Sequence, residues 1–329
     1  MPANLTPQYK SAEERFRQAT SREDKLAALR EMMALLPKHK GTEKLQADLR
    51  HRIAKLEDEA RHGSRGGHHH DPGHIPVEGA GQWVLLGAPN AGKSALLRAL
   101  THAHPEVAPY PFTTRVPLPG MMPFEDVQVQ LVDTPALTRE HVEPYVPNLV
   151  RAANGVVIVL DLAAGDAEET LAVCHAVLER AKIWPDDQPA PADASPLLER
   201  RPVVRIGNKC DLDGDGTLAE LNRQALGAGC PLQAVSATRG DGLEDLRRVL
   251  FERLERIRVY AKEPGKKPDL ERPFVLGRGA TVHDLARSIH KEIADRLKFA
   301  RVWGTVRFDG QTVDREHVLA DRDVVEIHS

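Results

Sequence analysis

The stretch "GAPNAGKS" at residues 87–94 constrains the fold of this chain more than any other feature of its sequence. It follows the apolar run "WVLL" and precedes the helical pattern "ALLRALT", as a phosphate-binding loop between a strand and a helix does. Gly87 and Gly92 let the backbone curl so that successive N–H groups point at phosphates. Lys93 reaches the β- and γ-phosphates, and the Ser94 hydroxyl is placed for magnesium. The motif therefore predicts a nucleotide-binding α/β domain.

Two carboxylates downstream complete the predicted chemistry. Asp133 ends the apolar run "VQVQLV", where it can hold a magnesium-bound water opposite Ser94. Asp211, in "NKCD", can accept two hydrogen bonds from guanine that adenine does not offer. A mispaired buried carboxylate is costly, so this position predicts selection of GTP over ATP by roughly 10⁴-fold.

The order and spacing of the motifs predict a small GTPase domain. The backbone N–H of Ala237, in "VSAT", is expected to meet the guanine oxygen. The full predicted nucleotide site consists of Gly87, Pro89, Asn90, Ala91, Gly92, Lys93, Ser94, Asp133, Ala136, Asn208, Lys209, Asp211, Ser236, Ala237 and Thr238.

A Pro-rich loop at 108–122, "APYPFTTRVPLPGMM", lies between the helix after Ser94 and Asp133. It is long enough to fold over the γ-phosphate. One of its threonines is expected to complete the magnesium shell, with Thr114 favoured over Thr113 by position.

The hydrophobic pattern divides the chain into four parts. Residues 1–62 carry apolar residues at helical spacing, Leu26 to Leu36 and Leu45 to Leu56, with N-caps expected at Ser21 and Thr42. They predict a helical hairpin, with a coiled-coil spacer as the alternative. Residues 63–81, rich in Gly and His, are typical of a linker, and their histidines suggest adventitious metal binding at most.

The other two parts are predicted to be folded domains. Residues 82–257 alternate β-branched runs with helical patterns, which predicts a mostly parallel sheet covered on both faces. Residues 258–329 predict a compact α+β unit, in which a small mixed sheet packs over one helix at 281–298 capped by Thr281.

Composition excludes other classes of protein. The 329 residues carry a net charge of −3, with mildly basic ends whose imbalance is too small to demonstrate nucleic-acid contact. No apolar run approaches the length of a membrane span, so we expect a cytoplasmic protein. The three cysteines, at unrelated spacings, predict neither a zinc site nor a disulfide framework.

Together, "GAPNAGKS", "YPFTTRVPLPG", "QLVDTPA", "NKCD", "IRVYAKEPGKKPD", "ATVHDLARSIHKEI" and "DVVEIHS" resemble the developmentally regulated GTP-binding (DRG) family of Obg-like GTPases. The resemblance covers most of 82–329 and implies GTP hydrolysis with magnesium. It also implies that the C-terminal part is a TGS domain, a β-grasp module. Eukaryotic members carry a further domain inserted within the GTPase fold, for which this chain has too few residues.

The phosphate-sensing turn "DTPAL" departs from the usual pattern. Ala136 stands where a glycine is usual, which keeps the backbone N–H but removes the freedom to adopt positive φ. Leu137 stands where a Ras-like enzyme keeps its water-orienting glutamine. In potassium-activated relatives that "GAPNAGKS" resembles, the asparagine of the loop helps hold a monovalent cation. The resemblance therefore implies potassium-stimulated, slow hydrolysis, with Lys93, Thr114 and Asn90 as catalytic residues and Asn90 as the potassium ligand.

Two functions remain open from the sequence. The first is a regulatory GTPase acting on a ribosome or another RNA-containing partner through its TGS-like domain and basic helices. The second is a nucleotide-gated adaptor with little hydrolysis, whose N-terminal helices bind a protein. Trp303 and Phe308 are expected to be core residues rather than platforms for RNA bases.

Overall fold

The computed structural model describes residues 7–18, 22–36, 49–50, 53, 74–101, 116–189, 196–227 and 230–328. Residues 1–71 and 72–329 form separate compact units. Within the described ranges, no helix combines the length and the hydropathy needed to cross a bilayer. The three cysteines are free, and the described residues contain no group of three or more His, Cys, Asp or Glu placed to hold a metal ion.

The N-terminal unit pairs helix α1 (Pro7–Gln18) with helix α2 (Arg22–Ala34). Its core joins Tyr9 and Ala12 of α1 to Leu29 and Met32 of α2. Leu36, Leu49 and Ile53 belong to the same core. Among the described residues of the predicted apolar stripes, Leu29, Leu36, Leu49 and Ile53 are buried. Helix α2 begins directly after the predicted cap position Ser21, whereas α1 was not predicted. Ser21, Thr42 and most of the second predicted helix lie outside the described residues.

The middle of the chain forms a six-stranded sheet in the order β2-β3-β1-β4-β7-β8, in which only β2 runs antiparallel to its neighbour. The strands of this region, of which β5 and β6 form a separate two-stranded sheet, are β1 (Gln82–Leu86), β2 (Leu118–Phe124), β3 (Val127–Asp133), β4 (Gly155–Asp161), β5 (Ile183–Pro185), β6 (Glu199–Arg201), β7 (Val203–Asn208) and β8 (Gln233–Ala234). The helices are α3 (Lys93–Leu100), α4 (Val146–Ala152), α5 (Ala167–Arg180), α6 (Thr217–Leu226) and α7 (Leu243–Glu252).

Strand β4 shows why the strands read as continuous apolar runs. Val156, Ile158 and Leu160 belong to the core on one face of the sheet, and Val157 and Val159 belong to the core on the other. Because successive side chains of a strand point to opposite faces, a strand buried on both faces needs apolar residues at every position. The predicted α/β fold is confirmed.

Several short stretches outside the predicted strands also take part in sheet pairing in this region. The end of the Pro-rich loop, from Leu118, forms β2 at the edge of the sheet. The Pro-rich segment at 184–196 begins within β5, which pairs with β6 in a separate two-stranded sheet. Gly79, within the predicted linker, bridges to Val129, and the Ala80 N–H donates to the Gln128 carbonyl. The last residues of that linker therefore lie on the sheet.

The C-terminal region forms its own five-stranded sheet in the order β10-β9-β13-β11-β12, with β9 and β13 parallel. Its elements are β9 (Arg256–Lys262), β10 (Phe274–Gly277), α8 (Val282–Ile289), α9 (Lys291–Arg296), β11 (Phe299–Trp303), β12 (Gln311–Val313) and β13 (Asp323–His328). Thr281 caps α8 and forms a capping box with Asp284, as the sequence predicts for the cap.

The single helix predicted over 281–298 is wrong. His290 has extended backbone angles, φ −164° and ψ 139°, and divides the segment into α8 and α9. Its ring nitrogen Nδ1 accepts from the Glu292 N–H, so His290 caps the second helix. The exposure of Phe308 (65%) also contradicts its predicted place in the core, whereas Trp303 is half-buried.

Candidate functional site

The phosphate-binding loop is held close to strands β4 and β7. A Cβ added to Gly87 would lie 2.4 Å from the Val159 carbonyl oxygen. At Gly92, φ is 91° and an added Cβ would lie 2.2 Å from the Asn208 Nδ2 atom. Both glycines are therefore required by close approach, and Gly92 also by its left-handed backbone.

Lys93 and Asp133 are buried next to each other at the start of α3 and the end of β3. The Lys93 Nζ donates to the carbonyl oxygens of Gly87, at 2.9 Å, and Ala88, at 3.0 Å. Burial lowers the pKa of Lys93 below its ordinary value, although the charge of Asp133 opposes the shift. Burial likewise raises the pKa of Asp133, against a hydrogen bond from Ser94 and the charge of Lys93. Phosphate groups and a cation would each favour the charged forms of these residues.

The arrangement of Asp133 and Ser94 fits a magnesium ion. The Ser94 hydroxyl donates to Asp133 Oδ2 at 2.5 Å, and the buried Oδ1 has no hydrogen-bond partner among the described residues. Carboxylate and hydroxyl oxygens are the ligand type that magnesium prefers. A buried carboxylate oxygen without a partner is costly unless a ligand or water completes it. These two residues therefore offer oxygen atoms suited to a hard divalent cation.

Leu137 contributes no side chain to the phosphate site. Its side chain is 3% exposed and packs in a core with Val132, Tyr145 and Val146. Its backbone N–H donates to the Gly87 carbonyl at 3.0 Å, which ties the phosphate-sensing turn to the phosphate-binding loop. Ala136, one residue earlier, has an ordinary negative φ. The hydrogen bond of Leu137 to the loop therefore comes from its backbone, while its side chain packs in the core.

Asn208 joins two loops of the predicted site. Its side-chain Nδ2 donates to the Ala91 carbonyl at 2.9 Å, and its Oδ1 accepts from the Ala237 N–H at 3.1 Å. Asn208 is buried, so both halves of its amide need partners, and the two loops supply them. The Ala237 N–H, predicted to meet guanine, is thus engaged by Asn208.

One ion pair and one side-chain hydrogen bond position the residues expected to contact guanine. Lys209 has a left-handed backbone (φ 67°), and its Nζ donates to Asp161 Oδ2 at 2.6 Å. The Ser236 hydroxyl donates to Asp211 Oδ1 at 2.6 Å. Asp161 was not predicted as part of the site. The available signal was its place at the carboxyl end of a buried parallel strand, where ligands of such sheets bind.

Other predicted residues are exposed or fall outside the part of the chain that the structure describes. Thr113 and Thr114 lie outside the described residues, as does most of the Pro-rich loop. Asn90 is exposed in the loop with φ 61°, a left-handed conformation that asparagine tolerates. Pro89 and Thr238 are also exposed, at the outer edges of their loops.

Two family models match the chain. The model described as "50S ribosome-binding GTPase" matches residues 82–185, and the TGS domain model matches residues 257–329. The chain is 27% identical to an uncharacterized GTP-binding protein of Methanocaldococcus jannaschii, over 93% of this chain and 92% of that protein. It is 28% identical to developmentally-regulated G-protein 2 of Arabidopsis thaliana, over 90% of this chain and 88% of that protein.

A human relative and a solved structure extend the comparison. The chain is 24% identical to human developmentally-regulated GTP-binding protein 2, over 92% of this chain and 98% of that protein. That alignment spans 365 positions, more than the 329 residues of this chain, so the human protein has residues within it that this chain lacks. The fold is similar to that of the YchF GTPase of Schizosaccharomyces pombe, with TM-score 0.51 and 14% identity over 78% of this chain and all of the other.

The motifs, the sheet and the similarity along nearly the whole chain agree with one another. A phosphate-binding loop, an "NKCD" turn after β7 and a C-terminal TGS domain occur here in one chain, as the resemblance implied. The chain is therefore a P-loop GTPase, an enzyme that hydrolyses GTP, with a C-terminal TGS domain, and it is a homologue of the developmentally regulated GTP-binding proteins.

Proposed function

We propose that this GTPase is a cytoplasmic, potassium-stimulated regulator that uses magnesium and acts on a ribosome or another RNA-containing partner. The observation that carries the magnesium part is the buried carboxylate of Asp133, with one oxygen on the Ser94 hydroxyl and the other without a partner among the described residues. Ser94 and Thr114 would bind the ion directly, and Asp133 through a water molecule. Magnesium, when bound, neutralises charge on the β- and γ-phosphate oxygens.

The residues of the chain then have separate tasks. Lys93 would exchange the carbonyl oxygens of Gly87 and Ala88 for phosphate oxygens, where its charge stabilises the transition state. Asp211 and Lys209 would hold guanine, with Ser236 fixing the carboxylate of Asp211. Hydrolysis is mostly a matter of positioning and charge stabilisation, because the protein makes no covalent bond to the phosphoryl group.

The burial of Leu137 supports the potassium part of the proposal. A glutamine-like role at this position is excluded by an apolar side chain packed in the core. Some other group must then stabilise the charge that develops between the β- and γ-phosphates. Asn90 presents an amide at the exposed side of the loop, where it can hold a monovalent cation beside the phosphates.

Turnover of GTP by the full chain in potassium and sodium buffers tests this part. We expect potassium to stimulate turnover roughly tenfold, and Asn90→Ala to remove that stimulation while leaving GDP binding unchanged. Gln224→Ala, an exposed amide on α6, is the matched control and should behave as the wild type. Stimulation that persists in Asn90→Ala would disprove the role of Asn90.

The proposal of a ribosome or RNA-containing partner is supported by the TGS domain and by the match of residues 82–185 to the model of 50S ribosome-binding GTPases. Co-sedimentation of the chain with ribosomes, in the presence of a GTP analogue or of GDP, tests it. We expect more binding with the GTP analogue and a steep loss of binding as salt increases, because contacts to phosphates release counterions. Equal, salt-independent recovery with both nucleotides would contradict an RNA partner.

The burial of Leu137 also favours the alternative, a nucleotide-gated adaptor with little hydrolysis of its own. In that case GTP would bind tightly, turnover would be negligible in both salts, and the N-terminal helices would be the surface that binds a protein. The turnover measurement separates the two functions.

A further inference from the structure

The turn between β2 and β3 lies against the first strand of the TGS domain. Arg258 of β9 donates through Nη1 to Glu125 and to Asp126 Oδ1, the latter at 2.9 Å. The Tyr260 hydroxyl donates to the second oxygen of Asp126, and Arg322 donates to Glu125 at 2.6 Å. We call Glu125, Asp126, Arg258, Asp321 and Arg322 the Arg258 cluster. It joins a turn of the GTPase domain to the TGS domain.

The Arg258 side chain is held by Asp321 and Phe251 in addition to the carboxylates of the β2–β3 turn. Arg258 is buried, with a side chain 4% exposed, and its Nη2 and Nε donate to the two carboxylate oxygens of Asp321 at 2.6 and 3.0 Å. Its guanidinium carbon lies 5.0 Å from the ring centre of Phe251, and that ring stacks on Phe124 at the end of β2. A planar guanidinium held by one bidentate carboxylate, two further carboxylates on Nη1 and a ring face has little freedom to move.

The same hairpin ends at the nucleotide site. Strands β2 and β3 pair over seven registered positions, from Phe124 with Val127 beside the turn to Leu118 with Asp133 at the other end. The two ends are roughly 20 Å apart at the usual rise per residue. Asp133 is in register with Leu85 of β1, next to the phosphate-binding loop. A shift of the turn would therefore have a continuous hydrogen-bonded path along this pair of strands to Asp133.

From this connection we infer that Arg258 is a positioning residue for GTP hydrolysis: it anchors the β2–β3 turn to the TGS domain and thereby sets the position of Asp133. The inference depends on the magnesium role proposed for Asp133. It assigns a use to the TGS domain within the chain, in addition to any partner it binds. A partner that displaces the TGS domain would, by this route, change the rate of hydrolysis.

The test is the double variant Glu125→Gln/Asp126→Asn of the full chain, which weakens the hairpin side of the cluster and keeps the pair of Arg258 with Asp321. We expect kcat to fall roughly tenfold and the magnesium concentration for half-maximal turnover to rise severalfold, with KM for GTP unchanged. The control is Lys262→Met/Glu326→Gln, which removes an ion pair between β9 and β13 within the TGS domain. It should leave all three quantities at their wild-type values.

Arg258→Met, alone and added to the hairpin variant, completes a double-mutant cycle. If Arg258 acts through Glu125 and Asp126, the combined variant should be no slower than the slower of the two. Unchanged kcat and magnesium dependence in the hairpin variant would overturn the inference, as would an equal loss in the Lys262/Glu326 control.

Asp133→Asn, measured beside them, separates this inference from the proposed function. If Asp133→Asn raises the magnesium concentration needed for half-maximal turnover and the hairpin variant does not, the role of Arg258 is overturned but the magnesium role of Asp133 is not. A magnesium requirement unaffected by Asp133→Asn would overturn the proposed magnesium role, and this inference with it.

Discussion

The nucleotide site and the Arg258 cluster are both dense in charge, but they satisfy it in opposite ways. In the cluster, Arg258 meets carboxylates from both domains, and burial of its side chain is compensated by hydrogen bonds. In the nucleotide site, Asp133 keeps one buried oxygen without a partner among the described residues, and burial shifts the pKa of Asp133 and of Lys93 toward their neutral forms.

Positive-φ backbone occurs in both regions, since Glu125 (φ 49°) and Arg322 (φ 70°) of the Arg258 cluster adopt it too. Asn90, Gly92 and Lys209 all have left-handed angles in the loops of the nucleotide site. Such residues cost free energy that the surrounding fold must supply. The two regions therefore differ in their charges: the nucleotide site leaves a buried carboxylate oxygen for a ligand to complete, whereas the Arg258 cluster pairs its charges where two domains meet.

The largest expected effect is a loss of GTP affinity when the phosphate-binding loop is distorted at Gly92. Gly92→Ala would place a methyl group 2.2 Å from Asn208 Nδ2 at a φ of 91°. We expect GTP affinity to fall by roughly 100-fold or more, about 3 kcal/mol, because the loop must shift away from its phosphate-binding form. Calorimetric titration with GTP measures the loss. Gly214→Ala, where an added Cβ meets no atom within 4 Å, is the matched control.

A smaller effect is expected when the cluster is titrated with acid. Hydrogen bonds from Arg258 and Arg322 lower the pKa of Glu125, and those from Tyr260 and Arg258 lower the pKa of Asp126 in spite of burial. Because the folded pKa values lie below the ordinary 4.5 and 3.8, the stabilisation is present above those values and is lost as the pH falls below them.

Denaturant unfolding between pH 7 and pH 3 measures this loss. We expect the cluster to contribute about 1 kcal/mol, since its carboxylates are partly exposed to solvent. The Glu125→Gln/Asp126→Asn variant should show a shallower decrease in stability with acid than the wild type. An identical decrease in both proteins would mean that other carboxylates cause the acid sensitivity.

The sequence predicted those parts of the site whose function requires a fixed residue at a fixed spacing. Lys93, Ser94 and Asp211 could be named because phosphate, magnesium and guanine each demand particular side chains next to a strand end. Asp161 could not, since its pairing with Lys209 depends on β4 and β7 lying side by side in register. The break at His290 was missed because the apolar spacing continues through it.

The interactions of Arg258 are the clearest example of contacts that could not be predicted from the sequence. In the linear chain it is a charged residue within a strand, more than 130 residues from Glu125 and Asp126. Nothing local distinguishes it from other strand arginines, because its partners come from a turn in the GTPase domain and from Asp321, in the turn before β13.

The sequence by itself determined the fold class and the phosphate-binding loop, and it predicted Asp211 as the carboxylate that selects guanine, since each follows from short-range patterns. The tertiary structure decided where Leu137 points, that Asn208 joins two loops, and that the β2–β3 turn is held by the TGS domain. These depend on which surfaces meet after folding, and burial and electrostatic pairing between distant residues leave no periodic trace in the chain.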